Sequence, residues 1–191
     1  MERRYPRLRL LWIVLLAPLL WTGCRPAPAL PTETAQLSAK ERECLGLTLE
    51  EAKGSFAYRI PRDWEFMEMD DSPFRVAVGP RLNGYVSNIR VSREVAPIKF
   101  PYYVDEARRE LGRQALTTGV EEDTRFVTVS GLVGRRWITH TFQARERIWH
   151  AYYLFPGPGD AKIVVTVSAA QADALRMGFV ADACMKTMVI R

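Results

Sequence analysis

The chain has two histidines, His140 and His150, and three cysteines, Cys24, Cys44 and Cys184, so metal or nucleophilic chemistry is confined to few positions. The histidines are ten residues apart on what read as adjacent strands. They can face each other only if the intervening turn sets an even pairing sum. Two histidines without a third ligand make a poor zinc site, and no Cys-x-x-Cys or His-x-Glu-x-x-His run is present. They read as one surface and one half-buried histidine, with no metal. Ser130 lies in Val-Ser-Gly, without the Gly-x-Ser-x-Gly elbow that exposes a nucleophile on a strand-to-helix turn. The segment Gly131-Leu132-Val133-Gly134 has two glycines but no Lys-Ser/Thr pair, so it reads as a turn and not a phosphate loop. Glu106 and Glu110 read as a solvated helix face. No catalytic, cofactor-binding or metal residue is expected. A Ser or Asp within hydrogen-bond reach of either histidine, in a cleft, would reopen the question.

Cys24 carries different chemistry. Before it stands RLRLLWIVLLAPLLWTGC: a basic start with Arg3, Arg4, Arg7 and Arg9, an apolar run over 10–20, then small Thr22 and Gly23. This is the pattern of a secretory signal peptide. The run is too short to span a bilayer, which takes about 20 apolar residues. Leu20-Trp21-Thr22-Gly23-Cys24 resembles the bacterial lipobox, with Trp21 where the motif has Leu, Val or Ile. The resemblance implies lipidation of Cys24 and removal of 1–23, and a thioether lipid plus an N-acyl chain exceeds the two signals that stable anchoring requires. Pro6 argues against twin-arginine export. Arg25, in place of the Asp that retains some lipoproteins in the inner membrane, favours the outer membrane.

Cleavage leaves about 170 residues, enough for one domain with a real core. The net charge of +5 falls to about +2 without the leader, which is no footprint for nucleic acid. Residues 24–37, with Pro26, Pro28 and Pro31, read as a tether of about 35–40 Å. Residues 38–191 read as a single domain.

Within it, Ser38 with Glu41 and Thr48 with Glu51 have capping-box spacing, which predicts one or two short helical turns. Alternating Phe56, Tyr58 and Ile60 make a first strand, followed by a short strand over 74–78 and an Asn83-Gly84 hairpin into a strand over 85–93. The stripe Val104, Ala107, Leu111, Ala115 predicts a helix over 102–118, stopped by Gly119. Strands over 125–130, 135–143, 148–155 and 162–168 follow, the last three as an antiparallel meander. Both faces of 148–155 are apolar, so it should be covered on both sides. A helix over 170–188, with Ala172, Leu175, Phe179, Ala183, Val180 and Cys184 on one broad face, supplies one cover, and the helix over 102–118 the other. The class is α+β: a central antiparallel sheet flanked by helices. Trp137, Phe142, Trp149, Tyr152, Tyr153 and Phe155 read mostly as core, and Arg135, Arg136, Arg145 and Arg147 as solvated strand ends.

Phe56-x-Tyr58-x-Ile60-Pro61-x-x-Trp64, Asn88-Ile89-x-Val91, the run 131–141, Tyr152-Tyr153, the run 163–168 and Met188-Val189-Ile190 together resemble the PsbP-like α/β/α sandwich superfamily. With the leader, the chain looks most like its DcrB-type bacterial lipoproteins. The resemblance implies a docking or support module without shared catalytic residues. The expected function is therefore a membrane-anchored envelope lipoprotein, facing the periplasm, whose non-enzymatic domain meets another envelope protein. The rivals are a small-ligand carrier with an aromatic pocket and an uncatalogued hydrolase. After lipidation, Cys44 and Cys184 are the cysteines left, and export permits oxidation. They read either as a disulfide that pins the N-terminal segment to the body or as two buried thiols.

Overall fold

The computed structural model describes residues 33–51, 53, 55–70, 72–114, 116–143 and 146–191. The leader, Cys24, Ala115 and Arg145 lie outside them.

Among the described residues, thirteen elements position the sites. In chain order they are α1 (Ala39–Glu43), β1 (Leu45–Glu51), β2 (Phe56–Pro61), β3 (Glu65–Met67), β4 (Val76–Leu82), β5 (Tyr85–Val95), α2 (Phe100–Arg113), β6 (Glu122–Val127), β7 (Val133–Gln143), β8 (Glu146–Pro156), β9 (Ala161–Ala170), α3 (Ala174–Lys186) and β10 (Val189–Ile190). A 3₁₀ turn, Gln171–Asp173, leads into α3. The main sheet has seven strands in the order β3-β4-β5-β9-β8-β7-β6, and every recorded pairing in it is antiparallel. The expected meander is its β7-β8-β9 half, extended by β6.

Alternation sorts each central strand between two cores. Trp149, Ala151, Tyr153 and Phe155 of β8 point with Ile163, Val165 and Val167 of β9 into the larger core, which α3 covers with Met177, Ala181, Cys184 and Met185. Leu154 of β8, Trp137 of β7 and Val164 of β9 point the other way, under Tyr103, Val104 and Leu111 of α2. This is the flanked α+β sandwich expected from the sequence.

Four local readings are corrected. Thr48 and Glu51 belong to a strand, because β1 pairs with β2, and a register shift between Leu45 and Thr48 breaks its alternation. Leu47 is left 69 % exposed between buried Leu45 and Leu49, so the strand pattern is hidden. The Ser38–Glu41 capping box does form, and it starts α1. Second, β2 belongs to a separate three-stranded sheet, β1-β2-β10, with its alternate residues buried on both sides. Third, α2 ends at Arg113, where Gln114 turns extended and the Thr117 hydroxyl donates to the Leu111 carbonyl at 2.9 Å. Gly119, at φ +72°, serves the loop beyond it. Fourth, α3 buries Met177, Gly178, Ala181, Ala183, Cys184 and Met185, while Leu175 stands 92 % exposed and Phe179 44 %. The helix carries apolar residues on several sides, so periodicity could not choose its face.

The Asn83-Gly84 hairpin is as expected: both residues have positive φ and Leu82 pairs with Tyr85, which is a two-residue type I′ connection. At the start of the domain the last residues of the expected tether are already held. The Ala35 amide donates to the Thr128 carbonyl at 3.1 Å, Glu33 pairs with Arg125 and Leu37 packs on the larger core.

Cys44 and Cys184 stand as free thiols in the structure. Cys44 caps the C-terminus of α1 with its Sγ donating back to the Glu41 carbonyl at 3.0 Å. Cys184 is buried on α3 among the core side chains.

Candidate functional site

The β7–β8 register settles the histidine question. His140 pairs with Trp149 and Thr139 with His150, an odd sum, so the two rings leave the sheet on opposite faces. They cannot share a metal, and among the described residues no cluster of three or more His, Cys, Asp or Glu could hold one.

His150 does have a serine in reach. Its Nδ1 lies 2.8 Å from Ser168 Oγ on β9, and its Nε2 lies 2.8 Å from Thr141 Oγ1 on β7. A Ser–His pair suggests a nucleophile and its base. Here the base is unsuitable. Burial, helped by the charge of His140, pushes the His150 pKa down to about 4, far from the neutral range where a general base works best. The third group is a hydroxyl and not an orienting carboxylate, and Ser168 and His150 are both buried. The three residues form a hydrogen-bonded ladder across β9, β8 and β7.

His140, on the α3 face, has a different setting. Its Nδ1 lies 3.0 Å from Glu121 Oε2 and 2.9 Å from Arg147 Nη2, which also donates to Glu121 Oε1 at 3.0 Å. Burial pushes the Glu121 carboxyl up, yet hydrogen bonds from Thr118 and His140 and the charges of His140 and Arg147 hold it below its ordinary value. The far nitrogen, Nε2, is buried without a partner. Such an atom costs about 1–3 kcal/mol if nothing meets it.

His140 lines a shallow groove of about 490 Å³ between α3 and β7, floored by Trp149 and Ile138 and walled by Leu175, Gly178 and Phe179. Phe142, next after His140 on that face of β7, is also exposed. A half-buried ion cluster secures one wall. The Tyr153 hydroxyl donates to Asp182 Oδ1 at 2.6 Å, and Arg136 Nε sits 2.8 Å from the same oxygen, while its Nη1 reaches Glu122 at 3.2 Å. Burial raises the Asp182 carboxyl despite those partners. The arginines expected to be solvated are therefore engaged: Arg135 with Asp123, Arg136 with Asp182, its side chain only 14 % exposed, and Arg147 with Glu121.

On the opposite face, a second groove of about 450 Å³ runs between α2 and the sheet. Trp137, Tyr152, Leu154 and Val164 form its floor, and Glu94, Glu106 and Glu110 its mouth. Tyr103, also in its lining, donates its hydroxyl to Glu94 at 2.8 Å. Burial and the Glu94 carboxylate raise the Tyr103 phenol well above its ordinary range, so it remains a donor. Sequence reasoning placed most of the aromatics in the core and kept an aromatic pocket as a rival reading, but it located neither groove, since each needs residues from strands and a helix far apart in the chain. No helix among the described residues is long and apolar enough to cross a membrane.

No family model and no curated protein matches the chain. Solved structures do. LpqN of Mycobacterium tuberculosis, described as involved in cell envelope biogenesis, has a TM-score of 0.56 at 14 % identity, covering 71 % of this chain and 82 % of its own. The cyanobacterial PsbP, CyanoP, of Synechocystis sp. PCC 6803 has 0.55 at 10 % identity, over 76 % and 92 %. The Ran-binding protein Mog1p of Saccharomyces cerevisiae has 0.50 at 11 % identity, over 75 % and 94 %. Identities this low speak for architecture alone, and in architecture the chain is a PsbP-like sandwich.

Proposed function

We propose that the chain is a non-enzymatic, DcrB-type envelope lipoprotein, exported on residues 1–23 and held in the outer membrane through lipid on Cys24, and that its domain docks on another envelope protein through α3. The observation that carries the docking is the apolar ridge of Leu175, 92 % exposed, and Phe179, 44 % exposed, beside a groove that His140 and Trp149 help to line. Exposed apolar side chains beside a groove are what a protein interface leaves on the free molecule. The weak base at His150 supports the non-enzymatic reading, and the leader, together with the envelope role stated for LpqN, supports the address.

Two experiments test this. A photo-crosslinking residue at position 175, in intact cells, should capture one envelope protein, and capture should fail when Phe179→Glu is added. Capture unchanged by Phe179→Glu would refute the ridge. Cys24→Ser should abolish incorporation of labelled fatty acid, and unchanged labelling would refute the anchor.

A second reading, carriage of a small ligand, is favoured by the groove under α2. Its volume and its apolar floor with a few polar groups at the mouth fall within the range of ligand sites, about 300–1,000 Å³.

A further inference from the structure

The charge around that second groove is sorted. Helix α2 carries acids and arginines in similar number, yet the charged side chains that line the groove are all carboxylates: Glu94, Glu106 and Glu110. The arginines are engaged away from it or at its margin. Arg108 pairs with Asp123 of β6 at 3.1 Å, Arg109 bonds the Asp105 carbonyl, and Arg113 meets Glu110 at 3.2 Å on the exposed surface. Two cations of the sheet stand beside the groove and both are engaged: Lys162, paired in register with Glu94, is buried with its Nζ donating to the carbonyls of Ala96 and Asp160 at 3.0 and 2.9 Å, and Arg135, in register with Leu154, donates its Nε to Asp123 at 2.9 Å.

The carboxylates are also arranged at a cost. Glu106 and Glu110 are one helical turn apart, a like-charge spacing that is unfavourable on a helix. Among the described residues Glu106 has no hydrogen-bond or ion-pair partner. Glu94 faces them from β5, held as an acceptor by the Tyr103 hydroxyl. Between these acids the floor is apolar and aromatic, with half-buried Tyr152 over buried Leu154. A neutral apolar guest would leave the acids unmatched, and an anion would be repelled.

Building on the carrier reading, we propose that the groove under α2 binds small organic cations, molecules with an aromatic or aliphatic body that lies on Tyr152 and Val164 and a protonated amine that meets Glu106 at the mouth. The amine relieves the repulsion between Glu106 and Glu110 and finds its partner without displacing an existing ion pair.

A matched set of indoles tests it by ligand-observed NMR on the full-length protein in detergent: tryptamine as cation, 3-methylindole as neutral body, and indole-3-propionate as anion. Tryptamine should bind about three- to ten-fold tighter than 3-methylindole, the range expected for one or two partly solvated charge contacts, and indole-3-propionate most weakly. Glu106→Gln should bring tryptamine to the level of 3-methylindole, and Ala107→Trp, which fills the groove, should remove binding of both while the melting temperature stays. Equal binding of all three, lost in Ala107→Trp, would overturn the cation preference and leave the carrier reading standing. No binding of any of them, or binding that survives Ala107→Trp, would overturn the groove as a site and the carrier reading with it.

Discussion

Acid should unfold this domain through His150. Its pKa stands at about 4 in the folded protein against an ordinary 6.5, with burial the main cause and the charge of His140 the second. A depressed folded value means that the unfolded chain takes up the proton first as pH falls, so the stabilisation is complete above pH 6.5 and is lost as pH drops toward 4. At 1.36 kcal/mol per pH unit the loss is about 3 kcal/mol, a large part of the roughly 5–15 kcal/mol that holds a typical domain folded. His150→Gln keeps a side chain able to bond Ser168 and Thr141 but cannot titrate. Urea unfolding of both proteins at half-unit steps from pH 7.5 to 3.5 should give curves that converge as acid is added, with the wild type losing about 3 kcal/mol more than the variant. Parallel curves, or ring-proton shifts showing His150 half protonated near pH 6.5, would refute the reasoning.

Three further outcomes are expected. Asp182→Ala leaves the buried Tyr153 hydroxyl without its acceptor and the Arg136 guanidinium without one of its two carboxylates; because Glu122 still holds the other end of the guanidinium, the loss should be about 2–3 kcal/mol, seen by calorimetry as a drop of about 5–10 °C, and a drop under about 1 °C would contradict the role of the cluster. Gly134→Ala puts a Cβ 2.3 Å from the Leu154 carbonyl oxygen of β8, whereas Gly79→Ala meets the Trp64 ring at the same distance; a backbone cannot swing aside as an indole can, so chemical denaturation should show the larger loss, about 1–3 kcal/mol, at Gly134. The Cys24→Ser chain, unfolded without reductant, should titrate two thiols, Cys44 and Cys184, and a count of zero would mean that the two are bonded after all.

What could be seen in the chain was what repeats locally. The strands β5 to β9, the hairpin at Asn83-Gly84 and the apolar stripe of α2 all follow periods of two or 3.6 residues, and the sandwich follows from strands apolar on both sides. What was hidden depends on register or on distant partners. The turn between β7 and β8 sets an odd sum, which parts His140 from His150, and no rule read from residues 144 and 145 would have set it. The second sheet needs β10 to reach back to β2, with Val189 paired to Ala57. Both grooves arise the same way: Leu175 becomes a ridge only because Met177 and Ala181 turn inward, and Glu106 becomes a ligand group only because Tyr152 lies beneath it.

The pairing of β5 with β9, from Asn88 with Ser168 to Val95 with Ala161, has a consequence for how the molecule assembles. Strands β3 to β5 and strands β6 to β9 are each joined to sequence neighbours, so each block can form by local hairpin steps on the microsecond scale of about 1–10 μs. The large sheet exists only once the two blocks meet along the single β5–β9 line, which closes a loop that contains all of α2 and the meander. Non-local closure of this kind is the slow step of β-rich folding. Until it is complete, β5 and β9 each present an open edge of backbone donors and acceptors, with Ile89, Val91, Val165 and Val167 beside it. Substitutions along that line should therefore slow folding and promote aggregation of the nascent domain more than equal losses of stability elsewhere.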